Sequence, residues 1–111
     1  MGVTVIACYR PKPGQSARLK DLVATHLEIL RAEDLVAEGP SMVAEAKDGT
    51  ILEIFTWKSQ EAIDAAHTNP RVGAMWEDFG AACDYVPVGS LEEASQLFSP
   101  FTPVVLDGRA I

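Results

Sequence analysis

Apolar spacing divides the chain into alternating short strands and helices. Val3 to Tyr9 is rich in β-branched residues, ends against Arg10-Pro-Lys-Pro-Gly14, and predicts a first strand. From Gln15 to about Asp34 the apolar positions change to a helical repeat. Leu19, Leu22, Val23, Leu27, Ile29 and Leu30 fall in one broad stripe, with Lys20, Asp21, Glu28 and Arg31 off it. His26 lies inside that stripe and is expected to face the interior. Glu38-Gly-Pro40 breaks the chain again.

Met42 to Lys47 and Thr50 to Lys58 flank Asp48-Gly49, a strong hairpin signal. A two-residue turn pairs Lys47 with Thr50, Glu45 with Leu52 and Val43 with Ile54. One face then carries Val43, Glu45, Lys47, Thr50, Leu52, Ile54 and Thr56; the other carries Met42, Ala44, Ala46, Ile51, Glu53, Phe55 and Trp57. Ser59 is expected to cap a helix running to about His67, and Asn69-Pro70 to start another. Val72, Met75, Trp76, Phe79 and Cys83 keep helical spacing in that second helix. Tyr85 to Val88 reads as a fourth strand. Ser90 with Glu93 forms a capping box for a brief helix to about Phe98. Phe101 to Leu106 is expected to add an edge strand or an arm across a neighbour. Residues 1–106 form a single domain in this reading, with 107–111 as a C-terminal tail.

Strand, helix, strand, strand, helix, strand is the order of a split βαβ, ferredoxin-like α+β fold with a four-stranded antiparallel sheet. Two helical blocks cover one face of such a sheet. The first strand and the hairpin are apolar on both faces, whereas a sheet with one wet face should alternate. A second copy, sheet against sheet, is the economical cover, so a homodimer is expected.

Charge and cysteines narrow the function classes. A net charge of −7 argues against nucleic acid or an anionic membrane surface as partner. No apolar run has the length of a membrane span, and the first residues have no secretory pattern. Cys8 and Cys83 stand alone among apolar neighbours and read as buried thiols, with a reducing cytoplasm as the expected compartment. Metal-ligand spacings, phosphate loops and nucleophile elbows are lacking, so no metal is expected.

The first strand, the Lys12-Pro-Gly14 turn, the long first helix, then Asp48-Gly49-Thr50-Ile-Leu-Glu-Ile-Phe-Thr-Trp-Lys-Ser and Ala65-Ala-His67 resemble the dimeric α/β-barrel superfamily. Within it the chain is most similar to the antibiotic biosynthesis monooxygenase-like family, over roughly residues 3 to 88. The resemblance implies two ferredoxin-like subunits packed sheet to sheet, each with a pocket between sheet and helices. It also implies oxygenation of a small aromatic or phenolic molecule without a cofactor. The haem-degrading branch carries an asparagine on the first strand; here Asn69, in a turn, is the only asparagine.

His67 is the candidate proton acceptor, since imidazole exchanges a proton near neutrality. The plainer reading has it finish its helix, where a cation suits the dipole. His26 is read as a core or pocket-lining histidine. Glu53, mid-strand between Ile51 and Phe55, must be paired or neutral if buried. It is either a pocket base or half of a pair with Arg10 or Arg71 across the dimer. Tyr9, Phe55, Trp57 and Trp76 are the candidate aromatic lining, the two tryptophans above all because an indole N–H needs a partner. Arg10, Lys12, Arg18 and Lys20 around the first turn read as a solvated basic loop rather than an anion site. Two other function classes stay open: a non-catalytic binding or assembly module, and an isomerase of small lactones using His and Glu as acid and base.

Overall fold

The structure, a computed structural model, describes residues 2–39 and 41–106. Met1, Pro40 of the predicted break and the predicted tail 107–111 lie outside the described residues. Strand β1 (Val3–Pro11) leads through the Gly14 turn into helix α1 (Ser16–Ala32). β2 (Met42–Glu45) and β3 (Ile51–Trp57) form the central hairpin, followed by α2 (Gln60–Ala66) and α3 (Pro70–Ala82). α3 runs directly into β4 (Cys83–Val86), two residues earlier than the predicted fourth strand. A short β5 (Thr102–Pro103) completes a five-stranded antiparallel sheet in the order β4-β1-β3-β2-β5.

The α+β class and the split order of the first four strands agree with the sequence; the strand count does not. β5 pairs with β2, Thr102 opposite Glu45, and Val104 N–H donates to Val43 O at 2.9 Å. Within the Phe101–Leu106 stretch, Thr102–Pro103 is thus an edge strand on its own sheet.

Capping explains where the helices stop. Asp34, in the left-handed region at φ 61°, closes α1 in a Schellman arrangement: its N–H reaches Arg31 O and Leu35 N–H reaches Leu30 O. Ser59 accepts from Ala62 N–H at the start of α2, and Asn69 accepts from Arg71 and Val72 N–H with Pro70 behind it, both as the sequence predicts. Asn69 also donates to Glu33 Oε1 at 2.9 Å, and Arg71 to Glu33 Oε2 at 3.2 Å. These bonds hold the Glu33 carboxyl below its ordinary pKa and fasten the end of α1 to the beginning of α3.

The hairpin register differs from the two-residue turn by one position. Val43 lies opposite Glu53 and Ala44 opposite Leu52, because the loop is Lys47-Asp48-Gly49 with Ala46 N–H donating to Thr50 O. Gly49 N–H bonds Ala46 O, Gly49 takes φ 92°, and Asp48 Oδ1 accepts from Thr50 N–H: a type I turn followed by a left-handed glycine. A one-residue slip moves every β2 side chain to the other face. Val43 and Glu45, not Met42, Ala44 and Ala46, therefore share the helix-facing side with Ile51, Glu53, Phe55 and Trp57.

That side carries the main core, with Leu19, Leu30, Ile51, Val72 and Phe79 among its most buried members. The opposite face holds a smaller cluster of Cys8, Ala46, Leu52 and Leu91, with Val88 and Phe101 against it. The residues after β4 therefore cover part of the face for which the sequence offered only a second copy. They do so as two short 3₁₀ turns, Val88–Ser90 and Glu92–Ser95, not as the predicted helix. The capping box does not form: Ser90 Oγ donates to Pro87 O, and the buried Glu93 instead accepts Lys47 N–H at 2.8 Å. Glu93 pins this segment to the hairpin tip. Replacing it with Ala leaves Lys47 N–H without its acceptor, so Glu93→Ala should lower unfolding free energy by about 1–3 kcal/mol in urea denaturation. An unchanged midpoint would show that the pin is not used.

Candidate functional site

β3 places Glu53 on the helix-facing side, directly opposite Ala7, and the carboxyl group is wholly buried at 0% exposure. Removal of a carboxyl from water demands partners. Two are in place on one oxygen: Tyr9 OH donates to Glu53 Oε1 at 2.9 Å, and His26 Nδ1 lies 2.7 Å from the same atom. The helical stripe delivers His26, and strand alternation delivers Tyr9 and Glu53. With the carboxylate as acceptor, the imidazole proton sits on Nδ1 and Nε2 is left as the basic nitrogen. Among the described residues nothing hydrogen-bonds Nε2.

Aromatic rings hold this group. His26 meets Phe79 and Phe55 edge-on at 5.2 and 5.4 Å between centroids, and Tyr9 lies 5.0 Å from Phe79 and 5.8 Å from Tyr85. Beside them is a cavity of about 430 Å³, within the range of small-molecule sites. Tyr9, His26, Phe55, Trp57, Trp76 and Tyr85 line it, and Val5, Ile6, Ala7, Cys8 and Val86 bring it to the edge of the sheet.

Most of the sequence-derived candidates converge here. Tyr9, His26, Phe55, Trp57 and Trp76 line one cavity, and Glu53 stands behind two of them. The expected pairing of Glu53 with Arg10 or Arg71 is corrected. Glu53 faces the helices, Arg71 bonds Glu33, and Arg10, one position from Tyr9, belongs to the opposite face. His67 lies apart. It is exposed on the α2 side, its Nδ1 is 2.9 Å from Ile63 O, and it meets the cavity wall only through Trp76, 5.3 Å away between ring centres. The sequence candidates omit Tyr85 and the aliphatic lining of Val5, Ile6 and Val86. The signal for Tyr85 lay in register, since it sits opposite Tyr9.

Of the basic residues around the first turn, Lys12 donates to Gly80 O and Lys20 pairs with Glu45, so neither is held in reserve for an anion. Burial raises the Cys8 thiol and pushes Cys83 up to about 11, with Asp84 adding to the latter, so neither is a ready thiolate. Among the described residues, no group of three or more His, Cys, Asp or Glu could hold a metal ion, and no helix is long and apolar enough to cross a membrane.

The tyrosines carry a pH signature. Burial first, then the Glu53 charge and hydrogen bond, raises Tyr9 well above its ordinary value; burial and then Cys83 push Tyr85 up to about 12. Both phenols stay protonated in the folded chain after they would ionise in the unfolded one. Stability from this source is full below about pH 10 and is lost as pH rises toward 12 and beyond. Tyr9 should supply most of it, because Tyr85 is largely exposed and screened. These are the chain's only two tyrosines, so native tyrosinate absorbance should stay low through pH 10 while the denaturation midpoint falls above it. Ordinary titration of both phenols in the folded protein would refute the buried network.

The fold is similar to that of a solved protein, Rv0793 from Mycobacterium tuberculosis, with a TM-score of 0.63 over 78% of this chain and 89% of that one. Sequence identity between them is 22%, so the likeness is one of fold. No protein-family model and no curated protein matches the chain.

Proposed function

We propose that the chain is a small-molecule-binding, ferredoxin-like subunit whose cavity takes a small aromatic or phenolic compound, and that it removes a proton from that compound to open it to oxygen. The observation that carries this reading is His26, set in the cavity wall with Nδ1 on Glu53 and Nε2 available. A neutral imidazole so held accepts a substrate proton at Nε2, and the carboxylate against Nδ1–H stabilises the imidazolium that forms. Tyr9 keeps Glu53 in place, and the aromatic walls exclude bulk water.

The resulting anion supplies electrons to O₂ without a cofactor. Where the reacting carbon bears two hydrogens, one oxygen atom becomes a carbonyl on that carbon. The other leaves as water with the two displaced hydrogens. In this reading His26, rather than His67, is the proton acceptor, because it combines an apolar cavity with a carboxylate partner.

Oxygen uptake with anthrones and hydroquinones tests the proposal. His26→Gln should lower turnover by roughly 10²–10⁴-fold, and more than His67→Gln does. The reverse order would return the role to His67; binding with no uptake by the unaltered protein would leave a ligand-binding module.

The same reading pairs two copies through the face opposite the helices. Cys8, Leu52 and Ala46 are covered there by the chain itself, but Ile6 is 48% and Met42 65% exposed, beside half-buried Ala44 and Ile54. Apolar residues grouped on a sheet face favour self-association. Sedimentation at micromolar concentration should give a dimer, and Ile54→Lys should return it to monomer. A stable monomer before substitution would exclude the pairing.

A further inference from the structure

Residues from both faces of β1, Val5 and Ala7 on one and Ile6 and Cys8 on the other, line the cavity, so it spans the edge of that strand. β1 pairs with β3 along Val3–Tyr9, but with β4 only over Cys8–Pro11. Lys12 N–H donates to Ala82 O at 2.9 Å in the register that sets Cys8 opposite Val86. Alternation along a strand therefore turns the amide groups of Arg10 and Cys8, and next of Ile6 and Thr4, toward the β4 side. Tyr9, Ala7, Val5 and Val3 turn theirs to β3. β4 ends at Val86, and Val88, which would stand opposite Ile6, belongs to a 3₁₀ turn that leaves the sheet.

Ile6 N–H and C=O thus turn toward an edge that the β4 ladder, ending at Cys8–Val86, no longer covers. Val5, Ile6 and Ala7 all line the cavity. In extended backbone the N–H and C=O of one residue lie side by side and point the same way. Ile6 accordingly presents a donor and an acceptor together, at the rim of an otherwise apolar and aromatic space.

We infer that the cavity recognises the polar end of its ligand through the Ile6 backbone, and that the ligand is a flat apolar molecule carrying an acceptor and a donor side by side, as a cyclic secondary amide does. The inference rests on the reading of the cavity as a small-molecule site. A ligand lacking those groups would cover the Ile6 amide and leave it unpaired, which is how a polar site rejects an apolar analogue. The hydrocarbon part lies against Trp57, Trp76 and Tyr85, the rings that reach the same space.

Intrinsic fluorescence can follow this, because the chain's two tryptophans, Trp57 and Trp76, both line the cavity. The probes are carbostyril, N-methylcarbostyril and naphthalene. Carbostyril should bind tightest, the N-methyl compound about tenfold more weakly for one lost hydrogen bond, and naphthalene more weakly still. The Ile6 amide proton should move downfield in the NMR spectrum with carbostyril and stay in place with naphthalene.

Ile6→Pro removes the N–H at a position where it makes no ladder bond, so the strand should tolerate it. It should lose about tenfold in carbostyril affinity without changing naphthalene binding, while Ile6→Val keeps both. If Ile6→Pro does not fold, the three probes and the amide shift on the unaltered protein decide alone. Equal affinity for all three with an unmoved Ile6 amide would overturn the inference and leave the cavity reading standing. No quenching by any probe would overturn both.

Discussion

The Glu53 carboxyl, wholly buried between β1 and α1, is the constraint on which the site depends. A carboxyl in that position is costly unless donors reach it, and each donor comes from a different element: Tyr9 from the strand beside it and His26 from the helix above. The same two bonds fix the helix against the sheet, choose the orientation of the imidazole ring, and leave a tyrosine at the cavity wall. An apolar residue at position 53 would satisfy the core more cheaply. The polar group specifies one arrangement of helix on sheet, and that arrangement is the one that sets His26 in the wall of a largely apolar cavity.

Much of this was legible in the sequence, and the reasons are particular. The helical stripe from Leu19 to Leu30 places His26 inward without any tertiary knowledge, because a 3.6-residue period fixes direction. The Glu53, Phe55 and Trp57 grouping follows from strand alternation alone and is unaffected by the hairpin error. The β2 side chains fall on the faces opposite to those the sequence predicts, because Asp48-Gly49 suits both a two-residue turn and a three-residue loop with glycine in the left-handed position. Local composition does not separate these. The contact that accompanies the observed choice, Lys47 N–H on Glu93, lies 46 residues away in sequence.

The reading of His67 shows a different limit. A helix end is easy to place, but the direction in which its last side chain leaves depends on the following turn, here the Thr68-Asn69 step into α3. Cover for the second sheet face was also underestimated, because residues 88–101 show no regular period. Leu91, Val88 and Phe101 pack there through 3₁₀ turns and irregular chain, which leave little trace in a hydrophobic pattern.

The fastening of α1 to α3 through Glu33, Asn69 and Arg71 bears on how a molecule would enter. Two helices tied at their junction do not part readily to admit a guest. A molecule reaching the cavity would then pass the sheet edge, where the exposed Tyr85 is part of the lining. Exposed side chains turn over in picoseconds to nanoseconds, whereas helix displacement takes microseconds or longer. Entry past such an edge would be fast and would select by cross-section, admitting thin planar molecules more readily than bulky ones of equal hydrophobicity.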